Sequence, residues 1–318
     1  MRDLLIGIDI GGTKCAVVLG NETPEVLERI EFPTSGGPEQ TLMEISANVQ
    51  KIIDGPEGKN VKCIGISCGG PLNSKDGVIL SPPNLPGWDN VEIVSLLQAR
   101  FGLPAAIQND ANACALAEWK WGAGKGCSNM IFLTFGTGLG AGLILDGRLY
   151  SGTNDMAGEA GHIRLKNDGP MGYGKAGSFE GFCSGGGIAR QAEAVLKHKS
   201  SPILPPGNDI TARDVCAAAS KGDAVALEIL ENSGRHLGMG LSILIDLLNP
   251  ERIVIGSIFT RCGEYLSPAA QAVIEMETLS AARKVCSVIP AALGEQIGDF
   301  ASLSIALSCK EEVFDNQA

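Results

Sequence analysis

The amino-acid sequence predicts an α/β protein of two domains with a cleft between them, and three observations lead there. Residues 132–142, Phe-Leu-Thr-Phe-Gly-Thr-Gly-Leu-Gly-Ala-Gly, echo residues 6–13, Ile-Gly-Ile-Asp-Ile-Gly-Gly-Thr. In both, an apolar strand runs into a glycine turn carrying a hydroxyl, and a β-like segment follows. Strand-like and helix-like segments alternate through both halves of the chain. Finally, 318 residues exceed what one compact core usually holds.

Taken in order, strands are expected at 4–10, 15–19 and 26–32, then an amphipathic helix over 38–53 with Leu42, Ile45, Val49 and Ile52 at helical spacing. The strand 61–68 ends at Gly69-Gly70-Pro71. A proline and glycine loop over 81–88 precedes a helix at 91–101 and a short strand at 105–108. That strand enters Asn109-Asp110-Ala111-Asn112 and a helix that continues to Trp121. Asp110 thus stands where a strand becomes a helix, a usual address for a ligand-facing residue in an open α/β sheet.

The second half opens with a hairpin over 130–145 and a glycine-rich loop over 151–184. A long helix at 224–248 closes at Asn249-Pro250, and residues 252–256 read as a buried strand running into a turn. The last helix, over 299–313, is expected to pack back on the first domain. The domains read as a small one, 1–112 with the C-terminal segment 299–318, and a large one, 113–298.

Glycine turns of this kind let backbone N–H groups approach an anion, since no Cβ intervenes. Two copies point to two jaws closing on one polyphosphate. Gly136-x-Gly138-x-x-Ala141 also matches a dinucleotide-binding pattern, but that pattern needs a helix after its glycines. A strand and the turn Asp146-Gly147 follow here, so the nicotinamide and flavin reading fails on context.

A net charge of −11 without a basic cluster argues against nucleic acid or an anionic membrane as partner. Small molecules are the expected ligands. No run of about eighteen apolar residues occurs, and a charged pair and a strand stand where a signal peptide would have its apolar run. A cytoplasmic location is expected. The ten cysteines form no Cys-x-x-Cys pair and are expected to be buried thiols.

Asp9-Ile-Gly-Gly-Thr-Lys14, Gly69-Gly-Pro71, Asn84-Leu-Pro-Gly-Trp88, Asn109-Asp-Ala-Asn112, Gly136-Thr-Gly-Leu-Gly140 and Gly158-Glu-Ala-Gly-His162 follow one another across nearly the whole chain. In that order and spacing they resemble the ROK (repressor, open reading frame, kinase) family of sugar kinases. The resemblance implies the actin/hexokinase-like, ribonuclease H-like fold, whose duplicated βββαβαβα domains account for the repeated turns. It also implies an ATP- and Mg²⁺-dependent hexose kinase, glucokinase-like and acting on the 6-hydroxyl. N-acetylmannosamine, mannose or fructose are the alternative sugars, and a homodimer is suggested.

A sugar hydroxyl is a poor nucleophile, so its phosphorylation needs a carboxylate to accept its proton. Asp110 is the candidate base, and it suits a helix N-cap as well; the resemblance places the family's catalytic base there. By the same resemblance Gly69, Asn109, Glu159, His162 and Glu180 hold the sugar. Asp9, Gly11, Gly12, Thr13, Lys14, Gly136, Thr137, Gly138 and Gly256 serve the nucleotide, with Asp9 reaching Mg²⁺ through water. Two other classes compete. A sugar-responsive repressor of the family would carry a helix-turn-helix before the first turn, where only eight residues precede Asp9, and a non-catalytic sugar-binding protein would not need Asp110.

One stretch departs from the family. Many members build a structural zinc site from the histidine and three cysteines, and those cysteine places hold Met171, Tyr173 and Ser178 here. A tetrahedral zinc needs four N, S or carboxylate ligands. No structural zinc is expected, and the loop is expected to be held by packing of Met171, Tyr173 and Phe179.

Overall fold

A computed structural model describes residues 2–205 and 209–315. They fall into two compact units: Met1–Lys125 with Leu149–Ala157 and Glu295–Ala318, and Gly126–Arg148 with Gly158–Gly294. The expected boundary at residue 112 lies inside a helix, and the units part at Lys125 and Gly126.

In the first unit, β1 (Leu4–Ile10), β2 (Lys14–Asn21) and β3 (Val26–Pro33) form an antiparallel meander. Leu4, Leu5, Ile6, Ile8 and Ile10 are all buried, as suits a central strand covered on both faces. The edge strand β3 instead turns Arg29 and Glu31 outward. Helix α1 (Gly37–Ile53) buries Ile45, Val49 and Ile52, one stripe at helical spacing. Then come β4 (Val61–Cys68), a two-residue ribbon of β5 (Leu72–Asn73) with β6 (Val78–Ile79), and α2 (Ile93–Phe101), which stops at Gly102 with φ 65°. Strand β7 (Ala105–Asn109) leads into α3 (Asp110–Trp121). The sheet order is β3-β2-β1-β4-β7, with β1, β4 and β7 parallel.

The second unit repeats this plan. Strands β8 (Met130–Leu133), β9 (Ala141–Leu145) and β10 (Arg148–Leu149) lead it, followed by the ribbon β11 (Met171–Gly172) and β12 (Lys175–Ala176). Helices α4 (Phe179–Cys183), α5 (Gly185–Leu196), α6 (Ala212–Ala219) and α7 (Ala224–Leu248) come next. Strand β13 (Arg252–Ile255), α8 (Ile258–Glu277), α9 (Ser280–Val285) and β14 (Ser287–Pro290) complete it. The order β10-β9-β8-β13-β14, with β8, β13 and β14 parallel, matches the first sheet strand for strand.

The chain ends in α10 (Ile297–Lys310), which lies on β1 and β4. It comes close because Gly7 and Gly65 sit side by side in those strands, and a Cβ on either would run into Ser302. One π turn follows over Glu311–Asp315; the rest of the expected segment, 316–318, lies outside the described residues. The segment 149–157 joins the first unit through Ser74 Oγ donating to Asp155 at 2.7 Å and Asn112 Nδ2 donating to Ser151 at 3.4 Å.

The cysteines need one correction. Cys216 of α6 and Cys262 of α8 form a disulfide, with Cα atoms 5.9 Å apart. They are 46 residues apart and meet only because the two helices pack, so spacing carried no signal. Cys15, Cys63, Cys68, Cys127, Cys183 and Cys309 are buried thiols. No helix among the described residues is long and apolar enough to cross a membrane.

Candidate active site

The first glycine turn joins β1 to β2. Gly11 N–H donates to the Lys14 carbonyl at 3.0 Å and Thr34 N–H to the Thr13 carbonyl at 3.0 Å, while Thr34 Oγ1 donates to the Gly11 carbonyl at 2.7 Å. The N–H groups of Gly12 and Thr13 have no partner among the described residues. They are the donors a phosphate would use. Lys14 is turned to Glu31, its Nζ 2.9 Å from Oε2.

Asp9 is the penultimate residue of β1, beside this turn. Its carboxyl is pushed up to about 6 by burial, by the nearby carboxylates of Asp299 and Asp110, and against the pull of Arg29 and Lys14. Arg29 Nε in turn holds both oxygens of Asp299, at 3.0 and 2.9 Å. Crowded carboxylates of this kind gain from a cation. No three His, Cys, Asp or Glu side chains converge as a metal cage among the described residues. Asp9 is a carboxylate that could serve Mg²⁺ through water, since that ion keeps several waters and takes one or two carboxylates plus phosphate.

At the β7–α3 junction the cap falls to Asn109, whose Oδ1 accepts from Asn112 N–H at 2.8 Å. Asp110, the other candidate for the cap, is the first helical residue and accepts from Ala111 N–H through Oδ1 at 2.8 Å. No other residue among those described engages its Oδ2. Asp110 keeps exposed surface yet is recessed in the protein, and partial loss of hydration raises its pKa, with the Ala111 bond opposing. Gly69 follows β4. The side chain of Asn84 lies against it, and the Asn84 backbone lies against Gly12: a Cβ on Gly69 would be 3.2 Å from Asn84 Oδ1, and one on Gly12 2.7 Å from the Asn84 carbonyl. The carboxamide has no hydrogen bond among the described residues. Asn84 heads one of the sequence motifs, yet nothing in spacing assigned it to two loops at once.

In the second unit the hairpin between β8 and β9 is closed by Thr134 N–H to the Gly140 carbonyl at 2.9 Å and Gly140 N–H to Thr134 Oγ1 at 2.8 Å. Its tip is braced by the start of α5, through Gly185 N–H to the Gly136 carbonyl at 2.7 Å and Gly186 N–H to the Thr137 carbonyl at 3.4 Å. Thr137 and Gly138 N–H are without partners among the described residues. Gly256 is buried behind Phe132 and donates to the Leu133 carbonyl at 3.0 Å. The next residue, Ser257, holds φ 53° before α8, and a Cβ on Gly136 would be 3.7 Å from its Oγ. Strain in a non-glycine residue at such a place marks a functional candidate that sequence cannot show.

Glu159 precedes the short turn Ala160–His162 and its carboxylate is exposed. Glu180, on α4, accepts from Leu139 N–H through Oε2 at 3.1 Å. Glu180 thus stands against both the hairpin between β8 and β9 and the Glu159–His162 turn, since a Cβ on Gly161 would be 3.2 Å from Glu180 Cβ.

The loop of the missing cysteines is held differently from expectation. Met171 and Tyr173 are 49% and 68% exposed, because β11 and β12 are joined by a tight turn with Tyr173 at φ 45° and Gly174 at φ 74°. Burial of these two side chains therefore holds nothing. Ser178 is buried, caps α4 through Gly181 N–H at 3.1 Å, and donates to the Gly172 carbonyl at 3.3 Å. Lys175 Nζ donates to the His162 carbonyl at 2.7 Å, and the Tyr173 ring meets His162 edge-on with centroids 5.0 Å apart. Phe179 is buried as expected, its ring seated on Gly240 of α7.

Two related α/β units with sheets of the same strand order, each carrying a glycine turn after its first strand, give the actin/hexokinase-like fold. Residues 5–307 match the ROK family, and the chain belongs to it. It is 35% identical over 271 residues to the glucokinase of Halalkalibacterium halodurans, covering 82% of each chain. It is also 31% identical over 311 residues to the DNA-binding transcriptional dual regulator NagC of Escherichia coli, covering 95% of this chain and 75% of that protein. The ROK family glucokinase of Streptomyces griseus, solved in complex with glucose and AMPPNP, matches with a TM-score of 0.78 at 30% identity over 96% of this chain and 99% of that one.

Proposed function

We propose that this protein is an ATP-dependent sugar kinase that transfers the γ-phosphate to a hexose, glucose foremost and at its 6-hydroxyl. The observation that carries the reading is the pair of unpartnered N–H groups at each glycine turn, Gly12 with Thr13 and Thr137 with Gly138. Donors so placed favour polyphosphate charge in either unit. The similarity to glucokinases supports the sugar as the acceptor.

In this mechanism Asp110 takes the hydroxyl proton on Oδ2 while the sugar oxygen attacks the γ-phosphorus. The bond to the β–γ bridging oxygen breaks and ADP leaves. Burial raises the Asp110 pKa above its ordinary value, which makes the carboxylate a stronger base for the hydroxyl proton. Asn109, Glu159, His162 and the free oxygen of Glu180 would bind the remaining hydroxyls, and the Gly69 backbone would line the sugar. Mg²⁺ held by water near Asp9 would supply charge neutralisation on the phosphates. A homodimer in the cytoplasm belongs to the same reading, and resemblance supports the dimer.

The test is a panel of free sugars with ATP and Mg²⁺, read by ADP release and by NMR of the product. Phosphorylation of glucose at the 6-position is expected; transfer to N-acetylmannosamine, mannose or fructose alone would move the substrate within the class. The similarity to NagC favours one second reading, a sugar-binding regulator. Sugar binding by calorimetry without phosphate transfer to any hexose would select it.

A further inference from the structure

We propose that Glu180 is the positioning residue of the phosphate hairpin as well as a sugar ligand, so that nucleotide and sugar affinity depend on one carboxylate. The proposal rests on the sugar kinase reading. Its starting point is the pairing of Glu180 Oε2 with Leu139 N–H at 3.1 Å, two residues past Thr137. A Cβ on Gly138 would be 2.9 Å from the same oxygen, so the hairpin is shaped around the carboxylate.

The other side of Leu139 faces the sugar turn. Its carbonyl lies against Gly161, whose α-carbon has no room for a side chain between Leu139 and Glu180 Cβ. Leu139 itself is buried. A carboxylate accepts several hydrogen bonds, and Oε1 of Glu180 has no partner among the described residues. One oxygen therefore holds the hairpin while the other is open to a hydroxyl.

Glu180 is not free to drift between these tasks. Helix α4 is tied down at its last two residues: the Phe182 carbonyl accepts from Ser233 Oγ and Gln191 Nε2, each at 2.9 Å. The Phe182 ring is stacked on His236 with centroids 3.5 Å apart, and Cys183 Sγ donates to the Ser233 carbonyl at 3.4 Å. A ligand pulling on Oε1 is thereby felt at Leu139 rather than absorbed by the helix. By thermodynamic reciprocity, a sugar that changes nucleotide affinity through this link is itself bound more tightly or weakly by the same factor when nucleotide is present.

The experiment compares the parent with Glu180→Ala and Glu180→Gln. Amide hydrogen exchange at Leu139 and Gly140 is measured without ligand, and AMPPNP with Mg²⁺ is titrated in the absence of sugar. Glu180→Ala should speed exchange at Leu139 several-fold and weaken AMPPNP binding at least threefold. Glu180→Gln, which keeps an acceptor oxygen, should restore both to within about twofold, a rescue that loss of a sugar ligand alone would not give. Unchanged exchange and AMPPNP affinity in Glu180→Ala, or failure of Glu180→Gln to rescue, would overturn the proposal alone. A parent that binds no AMPPNP would overturn the kinase reading first, and this proposal with it.

Discussion

The two glycine turns descend from the same strand–turn–strand pattern and sit in sheets of the same order, yet their surroundings differ. The first turn is closed by its own backbone and by Thr34, and what stands beside it is charge: Asp9, Asp110 and Asp299, answered by Arg29. The second is held from outside, by α5 at Gly136 and Thr137 and by Glu180 at Leu139. The difference teaches that a repeated fold need not repeat its chemistry. One unit concentrates carboxylates able to move a proton or meet a cation, and the other concentrates groups that grip.

The sharpest way to break this comparison is Asp110→Asn. The amide keeps the size but accepts no proton, so kcat should fall by about 10²–10⁴ while sugar affinity measured by calorimetry changes little. A kcat close to that of the parent would remove proton transfer from the first unit. The raised pKa of Asp110 also gives a sign: kcat/KM of the parent should fall on acidification at a pH above the usual carboxylate range, as the base becomes protonated.

Asp9→Asn should lower turnover by about 10²-fold, the usual scale for loss of one electrostatic stabiliser. It should also stabilise the protein. The carboxyl titrates at about 6 when folded against 3.8 as its ordinary value, so the folded state binds the extra proton between those values. Stability is therefore lost as pH rises from about 4 to 6, and the deficit persists above that range. The variant should be more stable at pH 7 by roughly 1–3 kcal/mol and no more stable at pH 4. Equal melting temperatures at both pH values would mean that Asp9 is not strained by its neighbours.

A smaller effect is expected from Gly138→Val. Its Cβ meets Glu180, so both nucleotide and sugar binding should weaken, each by about 1–2 kcal/mol. Loss of nucleotide binding alone would separate the hairpin from the sugar turn. The smallest effect is expected from metal removal. With Met171, Tyr173 and Ser178 in place of thiolates, excess chelator should leave the melting temperature within about 1 °C of the untreated protein. A lower melting temperature together with one zinc per chain would mean that other side chains rebuild a site.

Much of this was legible in the amino-acid order. The strand 61–68 and the helix 224–248 agree with the structure to the residue, and the strand read over 252–256 ends one residue earlier, because unbroken apolar runs and helical stripes ending at glycine, asparagine or proline leave few alternatives. The repeat of Ile-Asp-Ile-Gly-Gly-Thr by Leu-Thr-Phe-Gly-Thr-Gly pointed to the twofold plan. Sequence by itself thus determined the elements, the duplication and the residue types offered to a ligand, since periodicity and turn chemistry act over a few neighbours. Only the tertiary structure decided which of them meet. The Cys216–Cys262 bond, the capping of α3 by Asn109 rather than Asp110, the exposure of Met171 and Tyr173, and the tie from Glu180 to Leu139 all depend on contacts between segments far apart in the chain or on the backbone angle of one residue. Neither leaves a local pattern to read.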